Sequence, residues 1–208
     1  MRSDGHRFPV PDSRDRAINV RGCVSWVIVH RVVRVSPYVI VPGSSRVDRR
    51  RAAELARRAD VLFENFRPGT LRKYGLCYDE VRAANPGVVY CSITGYDPTG
   101  PEAARPGYDL VVQGETGLMG LNGEEGQAPL KFGVAMVDLF TGMSAGQAIL
   151  AALWARERNG QGRHVQLCLH DCGIMLSVYY GMEALIQQAD PPKYGNAHPS
   201  IVPYGVFD

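Results

Sequence analysis

The chain has 208 residues, of which 45% are hydrophobic and 21% charged, with 23 Lys and Arg against 21 Asp and Glu for a formal charge of +2. A chain of this length buries roughly 70% of its unfolded surface, so it needs neither a disulfide framework nor a structural metal to fold, and its composition excludes collagen-like and disulfide-scaffold proteins. The most apolar stretch, 23–41, carries His30, Arg31 and Arg34, and no run of about 18 uncharged apolar residues suggests a membrane span.

Residues 1–58 hold thirteen Arg against five Asp and Glu, a net of +8, and residues 59–208 carry the compensating −6. A basic arm can bind nucleic acid, but these arginines are scattered among Pro, Ser and Val without a zinc-finger or helix-turn-helix frame, so no nucleic-acid partner is expected. Residues 1–47 read as an atypical, poorly specified segment. Within it the β-branched run 26–35 has strand character, broken by Pro37, Pro42 and Gly43. Residues 1–21 lack the apolar core of a signal peptide. The five cysteines (Cys23, Cys77, Cys91, Cys168 and Cys172) show no CxxC spacing. Cys168, His170 and Cys172 lack the second ligand pair of a zinc site. Free thiols in a reducing cytoplasm and no bound metal are therefore expected.

From residue 48 the pattern alternates between helix and strand. Residues 48–59 are rich in helix formers, with Ala52, Leu55, Ala56 and Ala59 at helical spacing. A short buried strand is predicted over 60–66, stopped by Arg67-Pro68-Gly69. Thr70 is predicted to N-cap a helical turn that Gly75 closes. A short helix follows over 79–84, then a strand over 88–94 ended by Gly95. Residues 95–105 are a loop with two Pro turns, 110–119 an amphipathic run, 120–129 a polar loop and 131–137 a bridge that delivers Asp138. The longest helix runs from about Leu139 to Asn159-Gly160. A strand over 164–169, a helix over 171–189 and an apolar extended segment over 201–207 complete the chain. Strand, helix, strand in this rhythm predicts an α/β fold with a parallel sheet flanked by helices.

Three places in this frame could carry chemistry. Asp138 falls at the start of the longest helix, where free amides and the positive end of the dipole favour an anion. Such a carboxylate is either a simple cap or an ionised nucleophile, and spacing alone allows both. The turn 65–69 follows a strand, where ligands of open α/β sheets bind, and Arg67 and Lys73 add positive charge. Pro106-Gly107-Tyr108-Asp109 sets a phenol beside a carboxylate, as either a site or a plain helix start. The Gly-rich stretch 114–126 has no nucleotide-binding spacing.

Several blocks decide among these alternatives. ADVLFENFRPGTLRKYGL, NPGVVYCSITGYDPTGP, RPGYDLVVQGETGLMG, VDLFTGMSAGQAILAAL, ERNGQGRHVQLCLHD and GNAHPSIVPYGVF resemble, in order and spacing over 48–208, the family III coenzyme A transferases. That family also includes the alpha-methylacyl-CoA racemases. The resemblance implies a Rossmann-like large domain, ending here before the family's small domain. It implies transfer of CoA between an acyl-CoA and a carboxylic acid through an aspartyl-CoA thioester, with Asp138 as the catalytic nucleophile. It also implies that Asn65, Phe66, Arg67, Lys73, Pro106, Gly107, Tyr108 and Asp109 line the coenzyme A site. Racemases carry a histidine where Tyr108 stands. A phenol, titrating ordinarily near pH ~10, is a poor base at neutrality, so transfer is preferred to racemisation. The family's interlocked homodimers need a longer chain than this one. An inactive fragment is thus the remaining alternative.

Overall fold

The structure, a computed structural model, describes residues 27–30, 39–40 and 46–207. Most of the segment 1–47, with the expected strand flanks at Trp26 and 31–35, lies outside the described residues. Five strands form one sheet in the order β2-β1-β3-β4-β5, with β1 at Val27–His30, β2 at Val39–Ile40, β3 at Val61–Glu64, β4 at Val89–Thr94 and β5 at His164–Cys168. β3, β4 and β5 run parallel, with Leu62 opposite Tyr90 and Tyr90 opposite His164. β1 is antiparallel to both β2 and β3, so the sheet is mixed at one side and parallel where the expected strands lie.

Period-two alternation in β3–β5 gives the sheet two faces. On one, Leu62, Val88 and Tyr90 pack with Ala52 and Ala56 of α1 (Arg46–Ala56) and Val81 of α2 (Tyr78–Ala84). On the other, Val61, Val89 and Val165 meet Ala152 and Leu153 of α5 (Met136–Asn159). A third cluster joins Val112 of α3 (Asp109–Glu115), Leu118 of α4 (Leu118–Leu121), Val137 of α5 and Leu169 of α6 (Leu169–Gln187). The helices therefore flank the sheet, as the alternating pattern predicts.

α5 is long and apolar enough to cross a membrane by length and composition, with 22% of its apolar window buried. It packs here on β4, β5 and α6, and Asp138 stands in its first turn.

Two local expectations are corrected. Thr70 does not cap the turn after β3: the short 3-10 turn Arg72–Tyr74 is flanked by Leu71 with no side-chain cap, and Gly75 closes it at φ 67°. The run 110–119 is two helices, because Gly117 adopts φ 79° between α3 and α4, a left-handed conformation that ends a helix. The apolar segment 201–207 forms no strand and is exposed. Pro203 removes a backbone donor and Gly205 adds chain entropy there.

Candidate active site

Asp138 is the third residue of α5, a helix whose flanking Ala135 offers no side-chain cap. The cap comes from elsewhere in the chain. Asp109, the first residue of α3, accepts from the Val137 and Asp138 amides through Oδ1 at 2.8 and 3.2 Å. Gln113, 1% exposed, donates from Nε2 to Asp109 Oδ2 at 2.5 Å and accepts from the Phe132 amide through Oε1 at 2.9 Å. One helical turn of α3 thereby pins the chain that leads into Asp138.

The amides expected to favour an anion at Asp138 are not free. The amides of Val137 and Asp138 are engaged by Asp109, whose negative charge now faces Asp138. Asp138 is exposed, yet partial desolvation by its neighbours and then that like charge push its carboxyl above the ordinary aspartate value. A carboxylate with a raised proton affinity is the better nucleophile once ionised.

The second group lies at the end of β3. Glu64 is buried, and its Oε2 accepts from the Phe66 amide at 2.9 Å, which folds the chain sharply at Asn65. Asn65 and Arg67 are exposed, whereas Phe66 packs on the α1-side core. Lys73 is exposed in the 3-10 turn, its Nζ 4.9 Å from the centre of the Tyr74 ring. Beneath the turn is a cavity of about 160 Å³ bordered by Glu64, Arg67, Ser92, Thr94, His164 and Gln166. Sequence reasoning named only Arg67 among these. The signal for the others was present, since Glu64, Ser92, Thr94, His164 and Gln166 are the polar residues of one period-two face.

Pro106 to Asp109 begin α3 at the carboxyl end of β4. Gly107 contacts Gly95 backbone to backbone, and a Cβ on either would overlap the other's Cα. That contact closes the loop 95–107 at its base. Tyr108 flanks α3 with its ring 58% exposed. The carboxyl ends of β3 and β4 and the start of α5 lie on one edge of the sheet, because α5 runs back toward the start of β5. That edge is where open α/β sheets bind ligands; the 65–67 turn borders the α1-side cavity there, whereas Asp138 stands on α5, which packs on the other face of the sheet. The structure joins Asp109 directly to the backbone of Asp138.

Among the described residues no group of three or more His, Cys, Asp or Glu could hold a metal ion. Cys168 and Cys172 are buried, and Cys168 Sγ accepts from the Asp171 amide at 3.4 Å as the N-cap of α6.

Residues 42–208 match the sequence profile of CoA-transferase family III. The chain belongs to that family. Over 152 residues it is 46% identical to the succinate--glutarate CoA-transferase of Agrobacterium fabrum, covering 73% of this chain and 38% of that relative. The human succinyl-CoA:glutarate CoA-transferase is 41% identical over 154 residues, covering 74% of this chain and 35% of that protein. The crystal structure of a CaiB/BaiF family protein from Brucella suis superposes with a TM-score of 0.73 at 44% identity, over 77% of this chain and 43% of that one. The family III chain described here thus spans well under half the length of the relatives it matches.

Proposed function

We propose that the chain carries the nucleophilic half of an enzyme that moves coenzyme A from an acyl-CoA to a free carboxylic acid. An Asp138 carboxylate oxygen attacks the thioester carbonyl and expels CoA thiolate, leaving an acyl-aspartyl anhydride. The thiolate then attacks the aspartyl carbonyl, which releases the donor acid and forms an aspartyl-CoA thioester. The acceptor carboxylate attacks that thioester, expels thiolate and makes a second anhydride. Attack of the thiolate on the acceptor's acyl carbonyl yields the new acyl-CoA and frees Asp138. Covalent catalysis suits this exchange because the enzyme's carboxylate resembles both substrates, so the donor, aspartyl and acceptor CoA thioesters lie close in energy and the uphill anhydrides are passed through only transiently.

The observation that carries this reading is the Asp109 clamp on the first amides of α5, which holds the backbone at Asp138 in place. Asn65, Phe66, Arg67 and Lys73, with Pro106 to Asp109, form the coenzyme A side of the site in this reading. The named relatives act between succinate and glutarate, and short dicarboxylic acids are the substrate class we assign. The reducing cytoplasm is the compartment consistent with free thiols at Cys77, Cys91, Cys168 and Cys172.

The test is incubation of the chain with succinyl-CoA followed by peptide mass spectrometry. A hydroxylamine-sensitive CoA adduct on the peptide holding Asp138, absent in Asp138→Ala, is the expected result. An undiminished adduct in that variant would remove the assignment.

A further inference from the structure

Glu64, Ser92 and His164 lie on the neighbouring parallel strands β3, β4 and β5, on the face shared with Leu62 and Tyr90. Glu64 and Ser92 are each 8% exposed. Glu64 and Ser92 are directly opposite in the ladder and border one cavity, and the Ser92 hydroxyl favours the Glu64 carboxylate against the rise in proton affinity that burial imposes. Ser92 Oγ stands 2.9 Å from His164 Nε2. The His164 ring is held between Tyr78, stacked with centroids 4.4 Å apart, and the edge-on ring of Tyr90 at 5.2 Å.

Counting hydrogens sets the direction of this chain of bonds. Burial raises the Glu64 proton affinity, and the Ser92 hydroxyl and Phe66 amide oppose that rise; in its ionised form Glu64 has no proton to give, so the single Ser92 hydroxyl hydrogen goes to the carboxylate. The Ser92 oxygen is then an acceptor, and His164 must carry its proton on Nε2. At the far end Glu64 Oε2 accepts from the Phe66 amide at 2.9 Å.

We propose that His164 and Ser92 are positioning residues: they hold the Glu64 carboxylate in the one orientation that clamps the Phe66 amide, and so set the Asn65-Phe66-Arg67 turn for coenzyme A. The inference rests on the coenzyme A reading of that turn. It explains why three polar side chains converge from three strands beneath an exposed loop, at a cost in desolvation that three apolar residues would avoid. His164 and Ser92 touch no substrate in this arrangement; they act through Glu64.

The experiment uses the whole chain, with nitrogen-15 NMR of the His164 ring, hydrogen exchange at the Phe66 amide and titration with free CoA. In the wild type the ring signal, assigned by its loss in His164→Gln, is expected to show the Nε2–H tautomer, and the Phe66 amide to be protected. Ser92→Ala is expected to speed Phe66 exchange about tenfold and to weaken CoA binding by about threefold to tenfold, the range for the net contribution of one typical intramolecular hydrogen bond. Ser92→Thr, which keeps the hydroxyl, is expected to restore both.

A wild-type Nδ1–H tautomer overturns the proposal even if both Ser92 variants fail to fold. So does a Ser92→Ala chain that binds CoA as tightly as the wild type. A wild type with the expected ring and amide signals but no affinity for CoA overturns instead the coenzyme A reading on which the proposal rests.

Discussion

Asp109 and Asp138 share one helix end, and only one of them has the amides. Because Asp109 occupies the Val137 and Asp138 N–H groups, its charge raises the proton affinity of Asp138 instead of relieving it. Asp109→Asn keeps an oxygen for those amides and removes the like charge. Asp138 then gives up its proton at lower pH, so adduct formation with succinyl-CoA should persist further into the acid range. Adduct yield measured from about pH 4 to 8 reads this directly; an unshifted profile would mean that Asp109 exerts no charge effect on Asp138. A second residue-scale expectation concerns thiols. Burial, then the Glu64 charge, pushes the Cys91 thiol up to about 12, and burial pushes Cys168 up to about 11. Among the described cysteines, native alkylation at mildly alkaline pH should spare both and label the half-buried Cys77 first. Mass spectrometry of the labelled peptides checks the order, with Cys91 reacting only after denaturation.

Between elements, a few contacts fix how the site edge is held. Arg156, near the end of α5, pairs with Asp60 at 3.0 Å and donates to the Gly87 carbonyl at 3.1 Å. It ties the helix to the starts of β3 and β4 at the edge opposite the site. Arg156→Ala should cost about 2 kcal/mol, the range for partly buried hydrogen bonds to a charged group, read by urea denaturation. Arg156→Lys should recover only part, since an ammonium cannot span two acceptors in the same fork. The Gly95–Gly107 contact predicts that Gly107→Ala destabilises by about 1–3 kcal/mol through overpacking, and that the loss appears in the same denaturation curve.

These elements also separate what was readable along the chain from what was not. β3 and β4 were readable because each is a short, largely apolar run ended by Asn65 or Gly95, and β5 because Val165 and Leu167 alternate with His164 and Gln166 after Gly160 and Gly162. The stop at Gly160, φ 69°, followed from Asn159-Gly160. Thr70 misled because an N-cap needs its oxygen aimed at amides two or three residues on, and the chain tightens into a 3-10 turn one residue later. α5 begins at Met136, earlier than the apolar periodicity indicated, because its cap is Asp109, whose bond to Val137 spans 28 residues. No local pattern reports a partner at that distance.

For the molecule as a whole, α5 and α6 turn a broad apolar surface outward. Met143, Leu150, Trp154, Tyr179, Leu185 and Ile186 are each more than 60% exposed. These side chains stand on two helices that pack on each other, and large exposed apolar side chains gathered in this way mark an interaction surface. The chain should therefore bind a hydrophobic dye in its folded state. Leu150→Lys with Leu185→Lys should cut that fluorescence by roughly half without changing the far-ultraviolet circular dichroism; an unchanged signal would place the dye elsewhere.

By itself the sequence determined the helix–strand alternation, the parallel core of the sheet, the family, and Asp138 as the carboxylate at the mouth of the longest helix. These depend on periodicity, turn residues and ordered blocks, all of which are local in the chain. Only the tertiary structure decided that Asp109 takes the amides meant for Asp138, that Gly107 closes a loop against Gly95, and that Glu64, Ser92 and His164 meet under the Asn65 turn. Each of those joins residues from separate elements. Their distances and charges exist only after the strands have paired and the helices have packed, so no spacing along the chain encodes them.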